Sequence, residues 1–142
     1  MEVSQVRKRL KSAIDASRER AQRRRERVAE AQRAYESFLT EIATPVARQL
    51  ANAMKAEGYS FTVFTPGNGL RFASDRGRDD FIELALDTSV HNPEVIARIS
   101  QQRGSRTTDE EVPVKRGASP GEISEEDFLE FVLGALEPWL ER

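Results

Sequence analysis

The chain contains no cysteine and a single histidine, His91. The first absence excludes a disulfide framework, thiolate metal sites and a cysteine nucleophile, and the second excludes metal centres built from several imidazoles. Proline and glycine are missing from the first third, where nothing precedes Pro45 and Gly58. No apolar run approaches the roughly 18 residues that a membrane-spanning helix needs, and no signal-peptide core opens the chain. Together these absences predict a soluble, cytoplasmic protein without metal or cofactor.

What is present divides by charge. The formal net charge of −2 conceals 13 Lys/Arg against 8 Asp/Glu in residues 1–57, and 9 against 16 in residues 58–142. Such halves are electrostatic complements, suited to a basic segment that meets nucleic acid or an acidic surface of its own or a neighbouring subunit.

The basic half is dominated by a stretch from Val3 to Ala43 that reads as one long helix. Val3, Val6, Leu10, Ile14, Ala21, Val28, Ala31, Tyr35, Phe38 and Ile42 fall on one arc when each residue is turned by about 100°. Arg7, Lys11, Arg18 and Arg25 flank that stripe on one side, and Arg9, Arg20 and Arg27 on the other. At about 1.5 Å per residue such a helix spans roughly 60 Å, longer than the remaining chain can cover, so part of it projects or pairs in a coiled coil. Ser17, Ala21 and Arg24 stand where a strong heptad would carry Leu or Ile, so self-pairing through the middle is weak. Arginine on both shoulders favours an antiparallel partner, an acidic partner or a nucleic-acid backbone. The plainer alternative is a solvated helix laced with local pairs such as Glu19 with Arg23 and Arg27 with Glu30.

Thr44-Pro45 suits a helix start, with Thr as N-cap and Pro in the first turn, and predicts a second short helix to Glu57, closed by Gly58. A continuous helix kinked at Pro45 is the alternative. From Tyr59 the apolar period changes to alternation, broken by the turn signals Pro66-Gly67-Asn68-Gly69, Arg76-Gly77-Arg78 and His91-Asn92-Pro93. This predicts an antiparallel meander with strands near 60–64, 70–74, 81–87 and 95–101, and a fifth short edge strand at 111–114. One register serves all three hairpins, pairing Phe61 with Phe72, Phe72 with Ile82 and Ile82 with Ile99. Thr62, Arg71, Glu83 and Arg98 then form a ladder on the opposite face, beside an apolar row of Phe64, Gly69, Ala85 and Ile96. An apolar row on that face calls for a cover, either the first helix or another subunit. Residues 102–121 read as a turn-rich connection. The last helix starts at Ser124, with Asp127 completing the cap and Ile123 packing on Phe128. Its apolar residues cover more than half the circumference to Leu140, which predicts burial on two sides, and Pro138 should kink it.

The expected fold class is therefore α+β: a helical arm at 1–43 and a compact head at 44–142 made of a short helix, a four- to five-stranded meander and a C-terminal amphipathic helix on the sheet. No constellation in it suggests an enzyme. Glu83 and Asp87 on one strand are about 13 Å apart, too far for paired catalytic carboxylates, and Asp79 and Asp80 lack the rest of a calcium loop. His91 reads as an exposed turn residue, and no phosphate-binding loop or triad motif occurs.

The element order helix, antiparallel strands, helix resembles the small dimeric nucleoid-associated proteins of bacteria over about two thirds of the chain. That resemblance implies nucleic-acid binding without catalysis. From the residues themselves, the first expectation is a homo-oligomer, most simply a dimer, or a scaffold that takes a helical partner protein, with Leu10, Ile14, Val28, Tyr35, Phe64 and Ile96 at the interface. The alternative is sequence-nonspecific nucleic-acid binding. It would use Arg18, Arg20, Arg25 and Arg27 on the helix together with Arg76, Arg78, Arg103 and Arg106, which the register gathers at one end of the head around Gly77 and Gly104.

Overall fold

The computed structural model describes residues 1–142 as an α+β fold. Helix α1 (Val3–Phe38) passes through a π-helical turn (Leu39–Ala43) into α2 (Thr44–Ala56). Five strands follow, β1 (Phe61–Phe64), β2 (Leu70–Ser74), β3 (Phe81–Asp87), β4 (Glu94–Arg103) and β5 (Arg106–Pro113), then a 3-10 turn (Pro120–Glu122) and α3 (Glu125–Leu140). The strands lie in sequence order in one antiparallel sheet.

Thr44 does not cap a separate helix. Ala43 and Thr44 are both α-helical, no side-chain cap forms, and the continuous alternative is the one adopted. Pro45 lacks an N–H and its ring presses on the carbonyl four residues back. The π turn, in which the Thr44 N–H donates to the Leu39 carbonyl, widens the ladder where the proline enters.

One face of the sheet carries the core. Leu70, Phe72, Ile82, Leu84, Val95, Ala97 and Ile99 are buried there beneath Phe38, Ala47, Met54, Phe128, Val132 and Trp139 of the helices. Edge-to-face contacts of Phe38 on Phe128 at 5.6 Å and of Phe61 on Trp139 at 5.8 Å join the two helices to each other and the last helix to the sheet.

The β2–β3 and β3–β4 registers form as the alternation predicts, with Phe72 opposite Ile82 and Ile82 opposite Ile99. The β1–β2 pairing is displaced by two residues, so that Val63, not Phe61, faces Phe72. The Pro66–Gly69 turn closes with Gly69 N–H donating to the Pro66 carbonyl, and the loop thereby takes in more chain than expected. A two-residue shift preserves the face, and Phe61 still stacks on Phe72 as a diagonal neighbour at 5.0 Å. The fifth strand is longer than the expected 111–114 and begins at Arg106, inside what reads as a turn-rich connection. Gly104, at φ 61°, turns the chain so that Arg103 pairs with Arg106. The polar alternation of Thr107, Asp109 and Glu111 hides a solvated edge strand from a pattern search that looks for apolar residues.

Of the two covers expected for the outer sheet face, the chain itself does not supply the first, and the expected two-sided burial of the last helix is not found. The first helix does not lie on the outer sheet face, for α1 packs against the 3-10 turn and its end enters the core on the other side. Phe64 stays 51 % exposed, Ala85 is exposed and Ile96 half-buried. Helix α3 is buried on one side only, with Leu129, Leu133 and Leu140 facing solvent.

Candidate functional site

Three surfaces stand out, and each follows from how its element is anchored. The first is the free part of α1. Tyr35 and Phe38 are fully buried, Arg27, Val28 and Ala29 are half-buried, and from Glu26 back to the start only Ala16 is not exposed. Leu10 and Ile14, at 59 % and 40 % exposure, belong to an apolar stripe that touches nothing. Tyr35, expected at an interface, belongs instead to the core of its own chain. Burial pushes its phenol up to about 12, with Glu83 adding to the shift. Side-chain bonds along the arm are local: Arg23 to Glu19 at 3.8 Å, Arg25 to Gln22 at 2.7 Å, Gln22 to Glu26 at 3.1 Å and Arg20 to Ser17 at 3.1 Å. Arg18 makes none. Arg27 turns toward the β3–β4 loop, sharing a shallow cleft with Arg24, Ser89 and the exposed His91.

The second surface is the outward side of α3. Its start is fixed by a reciprocal cap, the Asp127 N–H donating to Ser124 Oγ at 3.0 Å and the Ser124 N–H to Asp127 Oδ2 at 3.0 Å. Lys115 adds a third donor at 2.9 Å. The Ser124 backbone bond, followed by Lys115, holds the Asp127 carboxyl down to about 2. Ile123 and Phe128, both buried, complete the entry. With the helix so phased, Phe128, Val132, Leu136 and Trp139 face inward. Glu126, Leu129, Glu130, Leu133, Gly134 and Glu137 line an open groove on the other side.

The third is the arginine end of the head. Ser100 Oγ donates to the Asp79 carbonyl at 2.7 Å and the Gln102 N–H to Asp80 Oδ1 at 2.9 Å, which sets the 75–79 turn against the end of β4. The buried Asp80 also receives the Trp139 indole N–H at 3.1 Å, and Arg142 stands 3.6 Å away. A Cβ on Gly77 would collide with the Asp80 carboxylate. Asp75 accepts from Ser60 Oγ and Thr62 Oγ1, bonds that hold its carboxyl below the ordinary range. The carboxylates of Asp75 and Asp80 are thus occupied elsewhere. Arg76, Arg78, Arg103 and Arg106 are exposed, and none takes part in any of the five ion pairs.

On the outer sheet face the charged ladder is satisfied within the sheet. Arg71 pairs with Glu83, Arg98 makes a two-pronged contact with Asp109 at 2.7 and 2.9 Å, and Phe81 lies between the two guanidinium groups, 4.1 Å from Arg71 and 5.5 Å from Arg98. Thr62 faces Ala73 rather than Arg71, and Phe64 takes that place. No cluster of three or more His, Asp or Glu is arranged to hold a metal ion, and no helix is long and apolar enough to cross a membrane.

The α3 groove and the Asp80–Trp139 bond lay beyond reach of the sequence pattern, because a helix apolar over more than half its circumference does not say which part of it its own chain covers. Compared with known families, curated proteins and solved structures, the chain matches none.

Proposed function

We propose that this chain is an assembly protein, non-catalytic and cytoplasmic, whose head holds a projecting amphipathic helix for coiled-coil-like association with a second copy or a helical partner. The carrying observation is that the first two dozen residues of α1 keep an apolar stripe exposed to water. In water that part of the helix rests on helix propensity and on a few local pairs that contribute about 0.2–0.5 kcal/mol each, with no apolar burial to add to them. Packing on a partner is what would stabilise it. Light scattering at tens of micromolar should give a mass above one chain, falling to one chain when residues 1–26 are removed. A single-chain mass for both would remove the proposal.

A second reading, nonspecific nucleic-acid binding, is favoured by the four exposed arginines free of acidic partners and by the unpaired Arg18 on the arm. Binding of that kind weakens steeply with salt. A gel shift at low salt would show retarded DNA or RNA, less so after replacing Arg103 and Arg106 with Ala. The absence of any shift would reject it.

A further inference from the structure

The stripe on the arm and the groove on α3 are the two largest apolar features left uncovered along helices, and they are complementary. On α3, Leu129 and Leu133 are 38 % and 43 % exposed, and Leu140 continues the row. The solvent border of the row is acidic, formed by Glu126, Glu130 and Glu137, and the helix carries no Lys or Arg. On the arm, Val3, Val6, Leu10 and Ile14 are exposed and bordered by Arg7, Arg9 and Lys11.

The lengths agree as well. At about 1.5 Å per residue, Glu126 to Leu140 spans roughly 21 Å and Val3 to Ile14 roughly 17 Å. Gly134 presents no side chain to this groove, and nothing outside its own stretch of helix stands within 4 Å of where its Cβ would lie. The arm cannot reach the α3 of its own chain, because the helix runs unbroken from Val3 into the head. A second copy supplies both halves.

We propose that the outward face of α3 is the seat for residues 3–14 of the arm of a second copy of this chain, apolar stripe on leucine row and basic shoulders on glutamate rim. The proposal rests on the assembly reading above and names the surface it uses. A two-fold pair seats both arms at once, so that each head is closed by its partner's helix. Ionic borders around an apolar centre give such a contact its register and a dependence on salt, while the leucines supply the affinity.

The test uses the full chain and two charge-reversed forms. One carries Glu126→Lys, Glu130→Lys and Glu137→Lys, and the other carries Arg7→Glu, Arg9→Glu and Lys11→Glu. All six positions are exposed, and unchanged Trp139 fluorescence on unfolding checks that each head is intact. Each variant alone should associate more than tenfold more weakly than the unaltered chain, by light scattering or sedimentation, and a mixture of the two should recover association as a hetero-pair. Leu129→Ser with Leu133→Ser should weaken association as much as Leu10→Ser with Ile14→Ser does. If the unaltered chain associates and the arm variants abolish it while the α3 variants do not, the seat is elsewhere and this proposal fails with the assembly reading intact. If the unaltered chain is a monomer at tens of micromolar, both fail.

Discussion

One helix in this protein lives in two environments. Its last part, from Tyr35 to Met54, sinks six side chains into the core, whereas its first part, Val3 to Glu26, buries almost nothing. The backbone is helical in both. What holds the helix therefore differs along its length: tertiary packing of an apolar face in one part, and propensity with a handful of i,i+3 and i,i+4 bonds in the other. An apolar stripe read from a sequence says that burial is required, but not that the same chain provides it.

The comparison breaks most visibly under core truncation. Phe38→Ala empties the edge-to-face contact with Phe128 and should cost about 3–5 kcal/mol of head stability. Leu10→Ala, at dilutions where the chain is a monomer, should change it by less than about 0.5 kcal/mol. Urea unfolding followed by Trp139, the sole tryptophan, reads both. Equal costs would mean the arm is packed after all. Next in size is Asp80→Ala, which orphans the Gln102 N–H and the Trp139 indole N–H at about 1–3 kcal/mol per donor. A shifted Trp139 emission should accompany it, and an unshifted one would show that the indole has another acceptor.

Amide exchange sharpens the comparison without mutation. Residues 39–56 should be protected at every concentration, while residues 3–26 should exchange close to the unprotected rate when dilute and gain protection as concentration rises. Concentration-independent exchange of the arm would contradict assembly. The smallest expected effect is in acid. Asp127 sits near 2 in the folded protein against an ordinary value of 3.8, so its contribution to the start of α3 is complete above about pH 4 and is lost as the pH falls toward 2. Asp127→Asn should flatten the stability profile within that window, and an unaltered slope would leave the lowered carboxyl without consequence for folding.

How much of this was legible in the residues depends on the kind of signal. Alternation with one buried face fixes register, which is why Phe72, Ile82 and Ile99 could be aligned from spacing alone. The β1–β2 hairpin escaped because loop length, not pattern, decides between registers two residues apart, and both put Phe61 on the core side. Strand β5 was legible only at its end, 111–114, because residues 106–110 are polar on both faces. The continuation through Pro45 escaped because Thr-Pro serves a helix start and a tolerated break equally well. Of the surfaces, the arm was visible in its charge and period. The α3 groove was not, since only the packed structure tells which leucines the sheet leaves over.

The buried positions 35, 39, 43 and 47 recur every fourth residue across the π turn. In an unbroken α-helix each such step would drift by about 40°, and the widened turn takes up part of that drift, keeping the face on the sheet. The core therefore grips the helix over several turns, and a rod gripped at one end is a lever. Over the roughly 36 Å of free arm, at about 1.5 Å per residue, a 10° change in the direction of the grip moves the tip by about 6 Å, close to one helical turn. Where the tip of the arm comes to rest is thus decided by side chains such as Phe38 and Ala43, deep inside the head and far from it.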